Sequence, residues 1–150
     1  MAMRTAPAAY ELAADDGERL RFGEVEVLIK ASAETTNGAF AIFEENEPVD
    51  TPLHVHENED ELFYVLEGEH VFRVGDQEFH AGPGGLVFAP RGVPHAQRRV
   101  VPRTGRILVL TSPAGLEGFF RELAEADRAG ALGPDIYVHA SKKYGITWLS

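Results

Sequence analysis

Cysteine is absent from the 150-residue chain. Its absence excludes disulfides, thiolate nucleophiles, zinc fingers and iron–sulfur clusters, so a bound metal would have to use nitrogen and oxygen ligands. Basic residues are also scarce, because 14 Lys and Arg stand against 24 Asp and Glu for a formal net charge of -10. This balance argues against nucleic acid as a partner, since binding phosphates requires a basic face, and it disfavours an anionic membrane surface.

Long apolar runs are missing as well. No stretch approaches the ~20 apolar residues of a membrane span. Residues 1–10 lack the apolar stretch of a signal peptide, so we expect a cytoplasmic protein with no membrane partner. The composition itself, 44% hydrophobic and 25% charged, is that of a globular protein, and the length suits one domain.

Short β-prone segments separated by Gly and Pro occupy the chain from about residue 19 to residue 111. They recur at roughly 8–12-residue spacing, which is typical of a sandwich or barrel. Residues 70–74 and 77–80, joined by Gly75-Asp76, are predicted to form a hairpin.

The pattern becomes helical towards the C-terminus. Ser112-Pro113 is predicted to cap and start a helix. Apolar residues then follow at helical spacing, namely Leu116, Phe119, Phe120, Leu123 and Ala124. We expect this apolar stripe to pack on the outer face of the barrel, because the inside is reserved for ligands and substrate. A shorter helix is expected over residues 135–144.

Three histidines and one glutamate fall into a spaced pattern. His54 and His56 are two residues apart, so on a strand both point to the same face. The complete pattern is H-x-H-x4-E-x6-G, from His54 through Glu61 to Gly68, followed by G-x5-P-x-G-x2-H, which ends at His95. Imidazole nitrogens and a carboxylate suit borderline divalent metals such as Fe, Mn, Ni, Co, Cu or Zn. Four such ligands would leave up to two positions for water, substrate or dioxygen.

These spacings resemble the two motifs of the cupin superfamily. The resemblance implies an all-β fold, a double-stranded β-helix (the cupin jelly-roll barrel) with a helical C-terminal appendage. It also implies one divalent metal ligated by His54, His56, Glu61 and His95, and a homodimer. We therefore expect a single cupin domain over residues 1–150, with the barrel at about 19–111 and the helical segment at about 112–150. Where the second motif often carries Asn, this chain has Arg99.

The C-terminal segment carries a narrower resemblance. Residues 112–123 together with residues 143–146 are similar to the corresponding segment of the quercetin-dioxygenase-like single-domain cupins. That likeness implies a metal-dependent dioxygenase acting on a flavonol or another enolisable or phenolic small molecule, with Glu61 as both ligand and candidate general base. A non-redox isomerase, epimerase or cyclase would use the same residues, and so would a non-catalytic small-molecule-binding cupin.

Side-chain alternation identifies further candidates. Phe63 shares a strand face with Glu61, and Gln97 and Arg99 share one with His95. We predict Phe63, Gln97 and Arg99 as substrate-binding residues, although Phe63 would equally suit the core and Arg99 would equally suit a pair with an acid. The acidic run at residues 57–60 is either a solvated loop or a group that tunes a ligand.

Overall fold

The computed structural model of the protein describes residues 6–149, which form two antiparallel β-sheets and three helices. The strands are β1 Glu18–Phe22, β2 Val25–Ala31, β3 Ala41–Asn46, β4 His54–His56, β5 Asp60–Glu67, β6 His70–Val74, β7 Gln77–Ala81, β8 Leu86–Ala89, β9 His95–Arg99, β10 Arg106–Ser112 and β11 Ile146–Trp148. The helices are α1 Ala33–Thr36, α2 Glu117–Arg128 and α3 Pro134–Lys143.

The strands follow the order of a double-stranded β-helix, as the sequence predicts. One sheet has six strands in the order β1-β2-β3-β10-β5-β8, and the other has five in the order β11-β4-β9-β6-β7. Side chains alternate between core and surface along the strands, so β5 buries Glu61, Phe63 and Val65 and β10 buries Ile107 and Val109. Most of the buried apolar side chains of the sheets join those of α2 in one hydrophobic cluster.

The predicted hairpin is confirmed. β6 and β7 pair in register from His70 opposite Ala81 to Val74 opposite Gln77. The turn before this hairpin requires glycine at residue 68, because its φ is +84° and a Cβ there would lie 2.9 Å from the Cα of Gly105. A tight turn at this point fixes the start of β6 relative to the end of β5.

The C-terminal segment differs from the expectation at its start. α2 begins at Glu117 rather than at Ser112-Pro113, since Gly115 has a φ of +142° that no helix accommodates. The Glu117 carboxylate accepts hydrogen bonds from the backbone N–H groups of Gly115 and Ala33, both at 2.9 Å, and so holds this turn against α1. The second helix, α3, is confirmed within a residue of its predicted bounds.

The chain then returns to the barrel as β11, which the sequence pattern does not predict. β11 pairs with β4 and so extends the five-stranded sheet. Among the described residues, no helix has both the length and the hydrophobicity that crossing a bilayer would require.

Candidate metal centre

The predicted ligands come from both sheets and meet inside the barrel. His54 and His56 lie on β4, His54 is directly opposite His95 on β9, and Glu61 projects from β5 in the other sheet. All four side chains are buried, and one ligand atom from each lies within 4.8 Å of those of the other three. We call these four residues the His/Glu cluster.

Each imidazole is oriented by an oxygen atom that lies within hydrogen-bond distance of its Nδ1. The acceptors are the carbonyl oxygen of Pro52 at 2.7 Å for His54, Oε1 of Glu59 at 3.1 Å for His56, and the carbonyl oxygen of Val93 at 3.4 Å for His95. With Nδ1–H donating to these oxygens, Nε2 of each ring is the nitrogen left for ligation. Nε2 of His56 and of His95 lies 3.2 Å and 2.9 Å from Oε2 of Glu61.

Burial and charge set the protonation of the cluster. Burial, reinforced by the neighbouring His95, lowers the pKa of His54 to about 4, so this ring is neutral at pH 7, the form that binds a metal. Burial also lowers the pKa of His56, but the carboxylates of Glu61 and Glu59 outweigh it and raise the pKa to about 10. Burial alone would raise the pKa of Glu61, yet the positive charge of His56 and the two imidazole hydrogen bonds hold that pKa well below its usual range.

The donor set fits a divalent cation. A divalent cation would take over from protonated His56 the positive charge that the buried Glu61 carboxylate needs. Ligand atoms on opposite sides of an ion at ~2.1–2.2 Å would lie about 4.4 Å apart, so the 4.8 Å spread of the cluster requires only small adjustments. The His/Glu cluster could therefore hold one ion.

The cluster lines a cavity of about 90 Å³ with mostly apolar walls, called here the inner cavity. Its apolar lining comprises Phe63, Leu116, Phe119, Phe120, Ile146 and Trp148. The expectation that the apolar stripe of α2 packs on the outer face is therefore wrong for its first residues. Amphipathic spacing shows that one face of a helix is buried, but not which surface covers it.

A second cavity of about 230 Å³ adjoins the first and is called here the outer cavity. Six residues line both, namely Glu45, Thr51, Gln97, Phe119, Phe120 and Trp148. The centre therefore opens towards further space along a wall shared by β3, β9, α2 and β11.

The predicted substrate-binding residues occupy different places. Phe63 and Gln97 line the inner cavity with the His/Glu cluster. Arg99 does not line it; its Nη1 lies 3.5 Å from the carbonyl oxygen of Pro48 and its Nε 3.9 Å from Asp50, and both partners line the outer cavity. Contact of these three residues with a substrate stays a prediction.

Three further residues belong to this site. Glu59, from the acidic run, is buried against His56 rather than solvated. The Trp148 ring packs against that of His54, with the ring centroids 4.9 Å apart and the ring planes tilted by 38°. Glu45 lines both cavities. The sequence indicates its inward direction, because β3 buries Ala41 and Phe43 and strict alternation places Glu45 on the same face.

Residues 39–111 match the cupin domain family. The chain contains a cupin domain. Over 118 residues this cupin is 31% identical to "Quercetin 2,3-dioxygenase" of Bacillus subtilis (strain 168), in a match that covers 77% of this chain and 35% of that protein. The match agrees with the quercetin-dioxygenase-like resemblance of the C-terminal segment, although the cupin spans only about a third of the curated relative's length.

Solved structures share the fold at low identity. KdgF from Halomonas sp. superposes with a TM-score of 0.63 and 16% identity, over 74% of this cupin and 99% of that chain. Pac13, a nucleoside dehydratase studied from Streptomyces, superposes with a TM-score of 0.58 and 13% identity, over 74% of this cupin and 88% of that chain. At these identities the likeness establishes the double-stranded β-helix alone.

Proposed function

We propose that this cupin is a metal-dependent dioxygenase that acts on a flavonol or another enolisable or phenolic small molecule. The observation that carries the proposal is the buried His/Glu cluster on the wall of an apolar cavity, in a chain similar to a quercetin 2,3-dioxygenase. His54, His56, Glu61 and His95 are the proposed ligands of one first-row divalent ion.

A bound ion would supply Lewis acidity for an ionised substrate oxygen and, if redox-active, reactivity towards dioxygen. The protein's own contribution is an aromatic enclosure. Phe63, Phe119 and Trp148 line the inner cavity, where they would pack against an aromatic ring and keep water out. Exclusion of water strengthens the attraction between the charged centre and an ionised hydroxyl. Glu61 remains the proposed base among the ligands.

The size of the cavities constrains how such a substrate would sit. Small-molecule sites are typically about 300–1,000 Å³, and the inner cavity of about 90 Å³ falls short of that. A ring carrying the reacting hydroxyl would occupy the inner cavity, and the rest of a flavonol would extend into the outer cavity of about 230 Å³. Arg99 lines neither cavity, and it would reach such a substrate only past Pro48 and Asp50, which line the outer cavity.

Oxygen consumption tests the proposed reaction. We expect the full chain, loaded in turn with Fe, Mn, Ni or Co, to consume dioxygen when quercetin or a simpler phenol is added. His95→Ala should abolish this consumption, whereas His80→Ala, an exposed histidine outside the cluster, should leave it unchanged. Turnover without oxygen uptake would contradict the proposal and identify the non-redox alternative, and binding without turnover would identify a binding protein.

We also propose that the cupin forms a homodimer through the outer face of the six-stranded sheet. Tyr64 on β5 is opposite Leu86 on β8, the edge strand, and with Phe88 they form an exposed apolar patch. Sedimentation analysis should give the mass of two chains, and Phe88→Glu should give the mass of one. Val138→Glu, at an exposed position on α3, is the control and should stay dimeric. A monomeric wild-type protein at micromolar concentration would contradict the dimer.

A further inference from the structure

Glu45 is an acidic side chain placed among apolar neighbours. On β3 its partner residues in register are Ile107 of β10 and Val27 of β2, and both are fully buried. Glu45 lines both the inner and the outer cavity, at the wall that the two share. A carboxylate in such a position faces whatever enters the centre from the outer cavity.

One of its oxygens is fixed by Gln97. Nε2 of Gln97 donates to Oε2 of Glu45 at 2.8 Å and to the carbonyl oxygen of Val49 at 3.2 Å, so both amide hydrogens are used within the protein. Gln97 is itself held by Thr51 through two hydrogen bonds of 3.0 Å. Oε1 of Glu45 accepts no hydrogen bond from the described residues, and this leaves it for a ligand.

No cation within residues 6–149 pairs with Glu45. The other titratable groups of the outer cavity are Glu26, Asp50 and Tyr137, and the inner cavity adds the His/Glu cluster. The nearby arginines are paired with acids other than Glu45: Arg19 and Arg21 pair with Glu26, and Arg99 lies beside Asp50. Burial therefore dominates and, together with the charge of Glu61, outweighs the Gln97 hydrogen bond, so that the pKa of Glu45 rises to about 7.

We infer that Glu45, held in place by Gln97, is a second functional carboxylate of this cupin, which binds a substrate hydroxyl and accepts its proton. In that step the substrate O–H bond breaks, its electron pair stays on the substrate oxygen, and the proton forms a new O–H bond on Oε1 of Glu45. The carboxyl group returns the proton to the product. Gln97 acts as a positioning residue, because its contact is with Glu45.

The inference rests on the proposed function in one respect, which is that the ligand carries an acidic hydroxyl. A carboxyl group with a pKa near the working pH is suited to this exchange, because it is ionised often enough to accept a proton and basic enough to hold it. Glu45 would thereby take over the proton transfer that is proposed above for Glu61, whose carboxylate would be committed to the metal ion as a ligand.

Infrared titration of the full-length protein tests Glu45 without any substrate. We expect the carbonyl stretch of a protonated carboxyl group to titrate near pH 7 in the chelator-treated wild type and to be missing from Glu45→Gln. Adding zinc should shift this titration to lower pH, because the cation faces the same cavity. Glu44→Gln is the matched control, since Glu44 neighbours Glu45 on β3 and points to the opposite face. A spectrum that is the same in wild type and Glu45→Gln would overturn the inference.

Anaerobic titration of the zinc-loaded protein with quercetin tests the contact itself. We expect the flavonol bound to wild type to absorb as its anion, at a pH where free quercetin is neutral. Glu45→Gln should weaken binding about tenfold or more, and the anion should appear only at higher pH. Glu45→Asp should restore part of the effect, and Glu44→Gln should behave as wild type.

The two experiments separate the two hypotheses. An unchanged flavonol spectrum and affinity in Glu45→Gln would overturn the inference while leaving the proposed function intact. A wild-type protein that binds neither quercetin nor simpler phenols would contradict the proposed substrate class, and the infrared titration would then decide on Glu45 alone.

Discussion

Glu59 connects the metal centre to the loop that precedes β5. Its side chain is buried at 4% exposure, and Oε1 accepts the Nδ1–H of His56 at 3.1 Å. A carboxylate in this position fixes the tautomer of the imidazole and makes Nε2 more basic. The residue would therefore act on a bound metal through His56.

Replacing Glu59 should weaken metal binding without unfolding the protein. We expect Glu59→Ala to reduce zinc affinity by about 10–100-fold, the usual effect of losing a partner of a ligating histidine. Competition with a chromophoric chelator measures this affinity. Glu57→Ala, an exposed acid of the same run, is the control; equal affinities for the two variants would show that Glu59 has no part in the centre.

Arg121 forms the main ion-pair network of α2, with Glu18 and Glu34 as its partners. The hydrogen bond from Arg121, helped by one from Ser32, lowers the pKa of Glu34 from 4.5 to about 2. Because the folded-state pKa is depressed, the stabilisation is complete above pH 4.5 and is lost as the pH falls towards 2.

Glu34→Gln should therefore lower the free energy of unfolding at neutral pH, and this effect should disappear as the pH falls towards 2. We expect a loss of no more than about 1 kcal/mol at pH 7, because the pair is exposed and screened by solvent. Urea unfolding of wild type and variant, repeated from pH 7 down to pH 2, measures the difference. A difference that stays constant or grows as the pH falls would contradict this assignment.

Among the elements, β11 brings the end of the chain to the metal centre. Ile146 is opposite His56 and Trp148 is opposite His54, so this short strand holds the strand that carries two proposed ligands. The indole N–H of Trp148 also donates a hydrogen bond to Oγ of Ser141 on α3 at 2.8 Å. This bond holds the ring between α3 and His54.

Removing the indole should loosen His54. We expect Trp148→Ala to lower zinc affinity severalfold, because the ring that packs against the imidazole is lost while the backbone pairing remains. Thr147→Ala is the control, since its side chain lies on the opposite face of the same strand. Isothermal titration with zinc measures both variants, and an affinity for Trp148→Ala equal to that of Thr147→Ala would argue against this role.

Elements differ in how far local sequence predicts them. The stripe from Leu116 to Leu123 predicts a helix and a buried face, because periodicity is a local property. The surface that covers that face is set by the return of the chain through α3 and β11, which local spacing does not encode. β11 itself is only three residues long, and its pairing with β4 spans some ninety positions, so no local signal identifies it.

At the scale of the whole molecule, the spacing of the short strands predicts a sandwich or barrel, because side-chain alternation and turns are local properties of the backbone. The meeting of the His/Glu cluster inside the barrel follows from the resemblance of its motifs to those of the cupins. The cavities could not be predicted, since their walls combine residues from β3, β9, α2 and β11. The role of Glu45 could not be predicted for the same reason. The pattern of β3 shows that its side chain faces inward, but Gln97 and Phe120, which line the inner cavity with it, are distant in sequence.

The central claim is that His54, His56, Glu61 and His95 bind one divalent ion. X-ray diffraction from crystals of the full chain grown with zinc, recorded at the zinc absorption edge, tests it most directly. The account predicts one anomalous peak inside the barrel, about 2.0–2.2 Å from Nε2 of each of the three histidines and from a carboxylate oxygen of Glu61. Crystals that contain zinc at surface sites but show no peak among these four side chains would contradict it.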